Sequence, residues 1–151
     1  EYKKEQTDLL DVIEECKERL QESADRKEIK IEVEGSPLVF ETTKPILEEV
    51  VYNLMDNAIK YNREQGNVTV RIFRKEKQFG FSVKDTGIGI PLIHQDRIFE
   101  RFYRVDKSRS KEIGGTGLGL SIVKHGVSCL GAQISVDSIP DEGSTFTVTW
   151  G

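Results

Sequence analysis

Two pairs of alternating apolar runs constrain the fold of this chain more than any other feature. Val68, Val70 and Ile72 form one face of a period-two segment, and Phe79, Phe81 and Val83 form one face of the next, across the polar Lys75–Gln78 connection. Ile134 and Val136 are followed in the same way by Phe146, Val148 and Trp150 across the Pro140–Gly143 turn. Connections this short join antiparallel strands, because parallel neighbours need a crossover of about a dozen residues or more. Helical periodicity surrounds these hairpins. Leu9, Ile13, Cys16, Leu20 and Ala24 predict an amphipathic helix over 9–24, with Asp11, Glu14, Glu15, Lys17 and Glu18 mostly on its wet side. Ile29, Ile31 and Val33 alternate with charged residues, so 29–34 reads as a strand ending at Gly35, and after the Ser36-Pro37 turn Leu38–Glu41 is a short second one. Thr43-Lys44-Pro45 opens a helix running to about Asn62, since a hydroxyl cap followed by proline suits a helix start. A region rich in glycine and basic residues (86–117) precedes a last helix of about 118–130. Interleaved helices with two hairpins exclude a strict βαβ rhythm. The expected fold is α+β, a two-layer α/β sandwich with helices on one face of a mixed, mostly antiparallel sheet.

The chain has 151 residues, enough for one domain with its own core. It contains no run of about 18 apolar residues that could span a bilayer. A net charge of −4 argues against a general binder of nucleic acid or of anionic membranes. Cys16 and Cys129 lack metal-ligand spacing and point to a reducing compartment. The sequence opens Glu-Tyr-Lys-Lys-Glu, without Met or a signal-peptide core, and reads as a piece of a longer protein.

Three features carry chemistry. On the second helix Glu49, Asn53 and Lys60 project within about 40° of one another, with Asn57 a little further round at the border of the apolar arc. An unpaired polar group there costs roughly 1–3 kcal/mol. The amides are either satisfied by neighbouring backbone, or they form an oxygen-rich stripe for a hard cation such as Mg²⁺ with a lysine for its phosphates. Next, alternation puts Asp85 on the same face as Phe79, Phe81 and Val83. It either starts the Thr86-Gly87 turn through its side chain or accepts from a purine amine in an apolar pocket, with Gly87 and Gly89 letting a ring approach the backbone. Finally, Gly115-Thr116-Gly117-Leu118-Gly119 leads into a helix start, which is either a flexible hinge or an anion site made of free amides and the helix dipole. It matches neither a P-loop nor the dinucleotide fingerprint. Arg101, Arg104, Lys107, Arg109 and Lys111 crowd the segment before it, either as a solvated charge run or as a lid over polyphosphate anchored by Phe99 and Phe102.

These pieces, in this order over about residues 9–151, resemble the ATP-binding catalytic domain of bacterial two-component sensor histidine kinases, whose Bergerat-type fold is shared with gyrase, MutL and a heat-shock chaperone. The asparagine box is Glu49-Val-Val-Tyr-Asn53-Leu-Met-Asp-Asn57-Ala-Ile-Lys60-Tyr61, and the first glycine box is Asp85-Thr-Gly87-Ile-Gly89-Ile. The phenylalanine box, which separates kinases from the gyrase and chaperone branches, is Ile98-Phe99-Glu-Arg101-Phe102-Tyr-Arg104. The second glycine box is Gly115-Thr-Gly117-Leu-Gly119-Leu, and Gly143-Ser-Thr145-Phe resembles the closing strand motif. The segment Lys124-His-Gly126-Val-Ser-Cys-Leu-Gly131 is similar to some phosphate-responsive kinases.

The resemblance implies ATP and Mg²⁺ as ligands, with Asn53 on the metal and Asn57 on metal and phosphate. It places Lys60 and Tyr61 on the polyphosphate, and Asp85 on the adenine amine with Gly87, Gly89 and Thr145 beside it. Arg104 and Arg109 would serve the γ-phosphoryl, and Gly115, Thr116, Gly117, Leu118 and Gly119 would line the triphosphate. Glu49 occupies the position of the general base in relatives that use water, and is an accessory where the nucleophile is an imidazole. The implied acceptor is a histidine on a dimerisation domain, since neither His94 nor His125 has the acidic neighbour of a phosphoacceptor. Residues 1–8 are then the tail of a linker from that domain. A response regulator is an indirect partner, and no nucleic acid or direct membrane contact is expected. The domain is expected on the cytoplasmic side of a parent in the cell membrane. Two rival readings remain: an ATPase clamp in which Glu49 activates water, and a module that holds ATP without using it.

Overall fold

The computed structural model describes residues 3–100 and 119–151. Its elements are strand β1 (Glu5–Asp8), helix α1 (Leu9–Arg26), strands β2 (Lys30–Glu34) and β3 (Val39–Thr42), helix α2 (Lys44–Lys60), strands β4 (Asn67–Lys75) and β5 (Gln78–Asp85), a single-turn helix α3 (Leu92–Gln95), helix α4 (Gly119–Cys129), and strands β6 (Gln133–Ile139) and β7 (Gly143–Trp150). The five-stranded sheet runs β2-β4-β5-β7-β6. Among the described strands the β2–β4 pair alone is parallel, with α2 in the crossover between them, and the expected hairpins β4–β5 and β6–β7 are both formed. The expected two-layer sandwich is the one found.

The core lies between the helices and one face of this sheet. Leu47, Val50, Val51 and Leu54 of α2 are buried against Val68, Val70, Phe81, Val83, Phe146 and Val148. Both hairpins alternate as the sequence requires, so Thr145 and Thr147 lie on the face away from the helices while Ser144 and Phe146 lie towards them. The oddly placed Gly126 of α4 has a packing reason. A Cβ on it would lie 2.7 Å from Val50 Cγ2 and 3.4 Å from Ile46 Cγ2, so the missing side chain lets α4 close on α2.

Two elements were not legible. Residues 5–8, expected as linker tail, form a strand antiparallel to β3, with Thr7 opposite Phe40. Asp8 also caps α1, its Oδ1 accepting from Leu10 N at 3.0 Å and from Leu38 N at 3.1 Å. The α3 turn, with Leu92 and Ile93 exposed, has no apolar periodicity to announce it. Helix α2 ends at Lys60, two residues short of the expected Asn62, and Lys27 meets its end. Its Nζ donates to the carbonyls of Ile59 (2.9 Å), Lys60 (3.1 Å) and Asn62 (2.9 Å), satisfying acceptors that a helix end leaves free.

Candidate functional site

Strand β5 ends at Asp85, whose side chain points to the helix-facing side and is 6% exposed. Its Oδ1 accepts from Gly87 N at 2.8 Å and from Ser144 N at 3.2 Å. Its Oδ2 receives no hydrogen bond from the described residues. Burial raises the carboxyl to about 6 against the opposing pull of the two amides. A buried carboxylate with one oxygen braced by backbone and the other without a donor is suited to a ligand N–H.

The loop after Asp85 is packed backbone to backbone. A Cβ on Gly87 would overlap the Tyr61 carbonyl oxygen and lie 2.9 Å from Asp85 Oδ1. Gly89 has φ +70, and a Cβ there would overlap the Ile139 carbonyl oxygen. Both glycines of the box therefore answer to close approach of the protein's own chain. Ile88 N donates to Tyr61 O at 3.2 Å and Asp141 N to Ile88 O at 2.7 Å, so the loop is held between the end of α2 and the β6–β7 turn.

The α2 stripe is looser. Asn53 is half-buried, and its Nδ2 donates to Glu49 O at 2.7 Å, while the Glu49 side chain is exposed. Asn57 is half-buried and its side chain makes no hydrogen bond with the described residues. Lys60 pairs with Asp56 one turn back, Nζ to Oδ2 at 3.1 Å, on the surface. Tyr61 is the half-buried cap residue of α2, contributing its carbonyl to the loop. Gly119, the first residue of α4, comes against this stripe, since a Cβ on it would lie 3.7 Å from Asn53 Oδ1. The fold thus brings the start of an eleven-residue helix to the amide that the sequence singled out.

Arg104, Arg109, Gly115, Thr116, Gly117 and Leu118 lie outside the described residues, as does Phe102. Phe99 packs on the core, edge-on to Phe146 at 6.2 Å. Thr145 requires a correction: it pairs with Lys84 on the outer face of the sheet, opposite to Asp85, because side chains alternate along β7. Ser144 is the buried residue on Asp85's face, and the period of Phe146, Val148 and Trp150 could have selected it. His125 is exposed beside Cys129, and His94 is half-buried in α3. Sequence reading also missed Asn62, Arg63 and Thr86. Asn62 is buried, donating from Nδ2 to Asn67 O at 2.9 Å and accepting from Arg63 N and Thr86 Oγ1 at 2.9 and 3.1 Å.

A family model for histidine kinase-, DNA gyrase B- and HSP90-like ATPases matches residues 42–151. The chain is 42% identical over 119 residues to the phosphate regulon sensor protein PhoR of Pseudomonas aeruginosa, covering 78% of this chain and 27% of that protein. It is 44% identical over 114 residues to the sensor histidine kinase WalK of Bacillus subtilis, covering 74% of this chain and 19% of WalK. The chain therefore spans about a quarter or less of these relatives. Among solved structures, the mycobacterial sensor histidine kinase MprB superposes with a TM-score of 0.84 at 30% identity, covering 97% of this chain and 95% of that one. The histidine kinase ShkA in complex with AMPPNP superposes at 0.85 and 28% identity, covering 99% of this chain and 31% of that one. No described helix is long and apolar enough to cross a membrane.

Proposed function

The chain belongs to the histidine kinase-, DNA gyrase B- and HSP90-like ATPase family, as a catalytic domain of the sensor histidine kinase type, and on that premise we propose that it binds Mg-ATP and passes the γ-phosphoryl to a histidine on a dimerisation domain of the same protein. A response regulator then receives the phosphoryl group from that histidine, and this domain meets it only indirectly.

The observation that carries the proposal is the Asp85 carboxylate. It is buried, braced on one oxygen and open on the other, at the end of a strand whose neighbours are apolar. Adenine offers the matching donor in its exocyclic amine. Guanine presents a carbonyl at that position and would face the carboxylate with an acceptor. The Asn53 and Gly119 approach supports the polyphosphate end, since an amide oxygen and a helix N-terminus favour a cation and its anionic partner side by side.

In this reading Asp85 orients the base and Asn53 and Asn57 supply oxygen ligands from one face of α2. Lys60 swings from Asp56 to the phosphates, Tyr61 lies beside it, and the amides from Gly115 to Gly119 surround the triphosphate. Arg104 and Arg109 meet the γ-phosphoryl. Mg²⁺ held by Asn53 and Asn57 would supply positive charge to neutralise the phosphates. The chain's own share of catalysis is positioning and charge stabilisation, and it needs no nucleophile of its own because the acceptor imidazole is one. Glu49 is an exposed accessory.

Calorimetric titration of ATP, with and without Mg²⁺, against the domain and its Asp85→Asn variant tests this reading. The amide oxygen of Asn can keep the bonds from Gly87 N and Ser144 N, but its nitrogen confronts the adenine amine with a second donor. Binding is expected in the wild type and a loss of about 100-fold or more in the variant, on the scale of an unmatched buried polar pair. Unchanged ATP affinity in Asp85→Asn would overturn the adenine assignment.

A further inference from the structure

Resting on the nucleotide-binding reading above, we propose that Arg63 is a positioning residue that sets adenine discrimination by locking the loop that carries Asp85's backbone donor. Arg63 follows α2 in the exposed polar stretch, and nothing about its sequence neighbourhood marks it. Its guanidinium nevertheless reaches three main-chain carbonyls on two other segments. Nε donates to Thr86 O at 2.8 Å, and Nη2 donates to Gly87 O at 3.2 Å and to Asp141 O. Thr86 and Gly87 are the residues directly after Asp85, and Asp141 belongs to the β6–β7 turn that leads into Ser144, Asp85's other backbone donor.

The guanidinium therefore ties together the two segments whose amides brace Asp85 Oδ1. The buried Asn62 side chain fixes the root of this device, accepting from Arg63 N and from Thr86 Oγ1. A planar fork with several donors in fixed directions can serve carbonyls on two segments at once, whereas an ammonium on a flexible stem cannot hold the same spacing. Arg63 contacts no ligand in this scheme. It acts on the base through the position of Asp85, so its effect belongs to the exocyclic amine and not to the phosphates.

ATP and inosine triphosphate separate that effect from general stability, because inosine carries a carbonyl where adenine carries the amine. The experiment is calorimetric titration of both nucleotides, with Mg²⁺, into the wild type, Arg63→Ala and Arg63→Lys. The wild type is expected to prefer ATP. In Arg63→Ala the ATP affinity should fall about tenfold, the scale of a charge-assisted hydrogen bond, while inosine triphosphate affinity stays put. Arg63→Lys should recover part of the preference. An unchanged ATP-to-inosine ratio in both variants overturns the proposal and leaves the Asp85 assignment standing. Equal loss of both nucleotides also overturns it, since a purely structural role would act that way. A wild type that binds ATP yet shows no preference overturns the Asp85 assignment and the Arg63 proposal with it.

Discussion

The cap that closes α2 and the polar stripe along its second half treat their polar groups in opposite ways. At its C-terminal end the chain is over-determined: Lys27 caps three carbonyls, Asn62 uses both ends of its amide, and Arg63 and the Tyr61 carbonyl pin the loop after Asp85. Along the stripe itself, Asn53 bonds among the described residues to its own helix, the Asn57 side chain is unbonded among them, and Lys60 in the last turn holds an ion pair with Asp56. Surface pairs of that kind stabilise by about 0–1 kcal/mol and are easily exchanged for a ligand. The base end of the site is thus built by folding, and the phosphate end is left to be completed by what binds. Base selectivity and fold stability should accordingly be coupled at Asp85 and uncoupled along the stripe.

The sharpest way to break that comparison is Gly87→Ala. The added methyl meets the Tyr61 carbonyl, a backbone atom that is itself held by Ile88 N, so neither side can yield cheaply. A loss of about 2–4 kcal/mol in urea unfolding is expected together with loss of ATP binding, in the range of overpacked cores with a broken hydrogen bond. Full stability with weak binding would show that the loop is not part of the folded frame.

A smaller effect is expected from pH. Asp85 titrates at about 6 when folded, above its ordinary 3.8, because burial disfavours the carboxylate. With the folded value raised, the proton favours the native state. This group's destabilisation is absent below about 3.8 and complete above about 6. Asp85→Asn should therefore gain stability relative to wild type, by about 3 kcal/mol at pH 8, and the gain should shrink towards pH 4. Binding runs the other way, since only the carboxylate accepts from the amine. ATP affinity of the wild type should fall about tenfold between pH 8 and pH 5, read by calorimetry in matched buffers. A flat profile would place the titration elsewhere.

How much of this was readable from residues depends on whether side chains or main chain do the work. The hairpins and both long helices follow from period-two and helical spacing, and the alternation Phe81, Val83, Asp85 sets the direction of the carboxylate. The same alternation, carried back from Phe146, puts Ser144 on the carboxylate's face and Thr145 on the other. Strand β1 has one buried residue, Thr7, and no apolar pattern. Arg63 and Lys27 act on carbonyls, which every residue carries, so no sequence pattern distinguishes their partners. Gly87 and Gly119 looked equivalent in the sequence, as members of two glycine boxes.

The structure separates those two glycines, and the smallest expected effect follows from that. Among the described residues a Cβ at Gly119 would meet Asn53 Oδ1 alone, at 3.7 Å, an ordinary van der Waals distance. Alanine at the first residue of α4 also limits the unfolded chain and favours the helix. Gly119→Ala should therefore change unfolding stability by less than about 1 kcal/mol, with the sign towards stabilisation. Its effect on ATP, if the phosphates use the amide and not the space above it, should stay within about threefold, because the N–H is retained. The two substitutions add the same methyl to the two glycine boxes of one site. If Gly119→Ala destabilised the domain as much as Gly87→Ala, α4 would have to be locked to α2 as tightly as the Asp85 loop is, and the distinction between a prebuilt base end and an open phosphate end would fail.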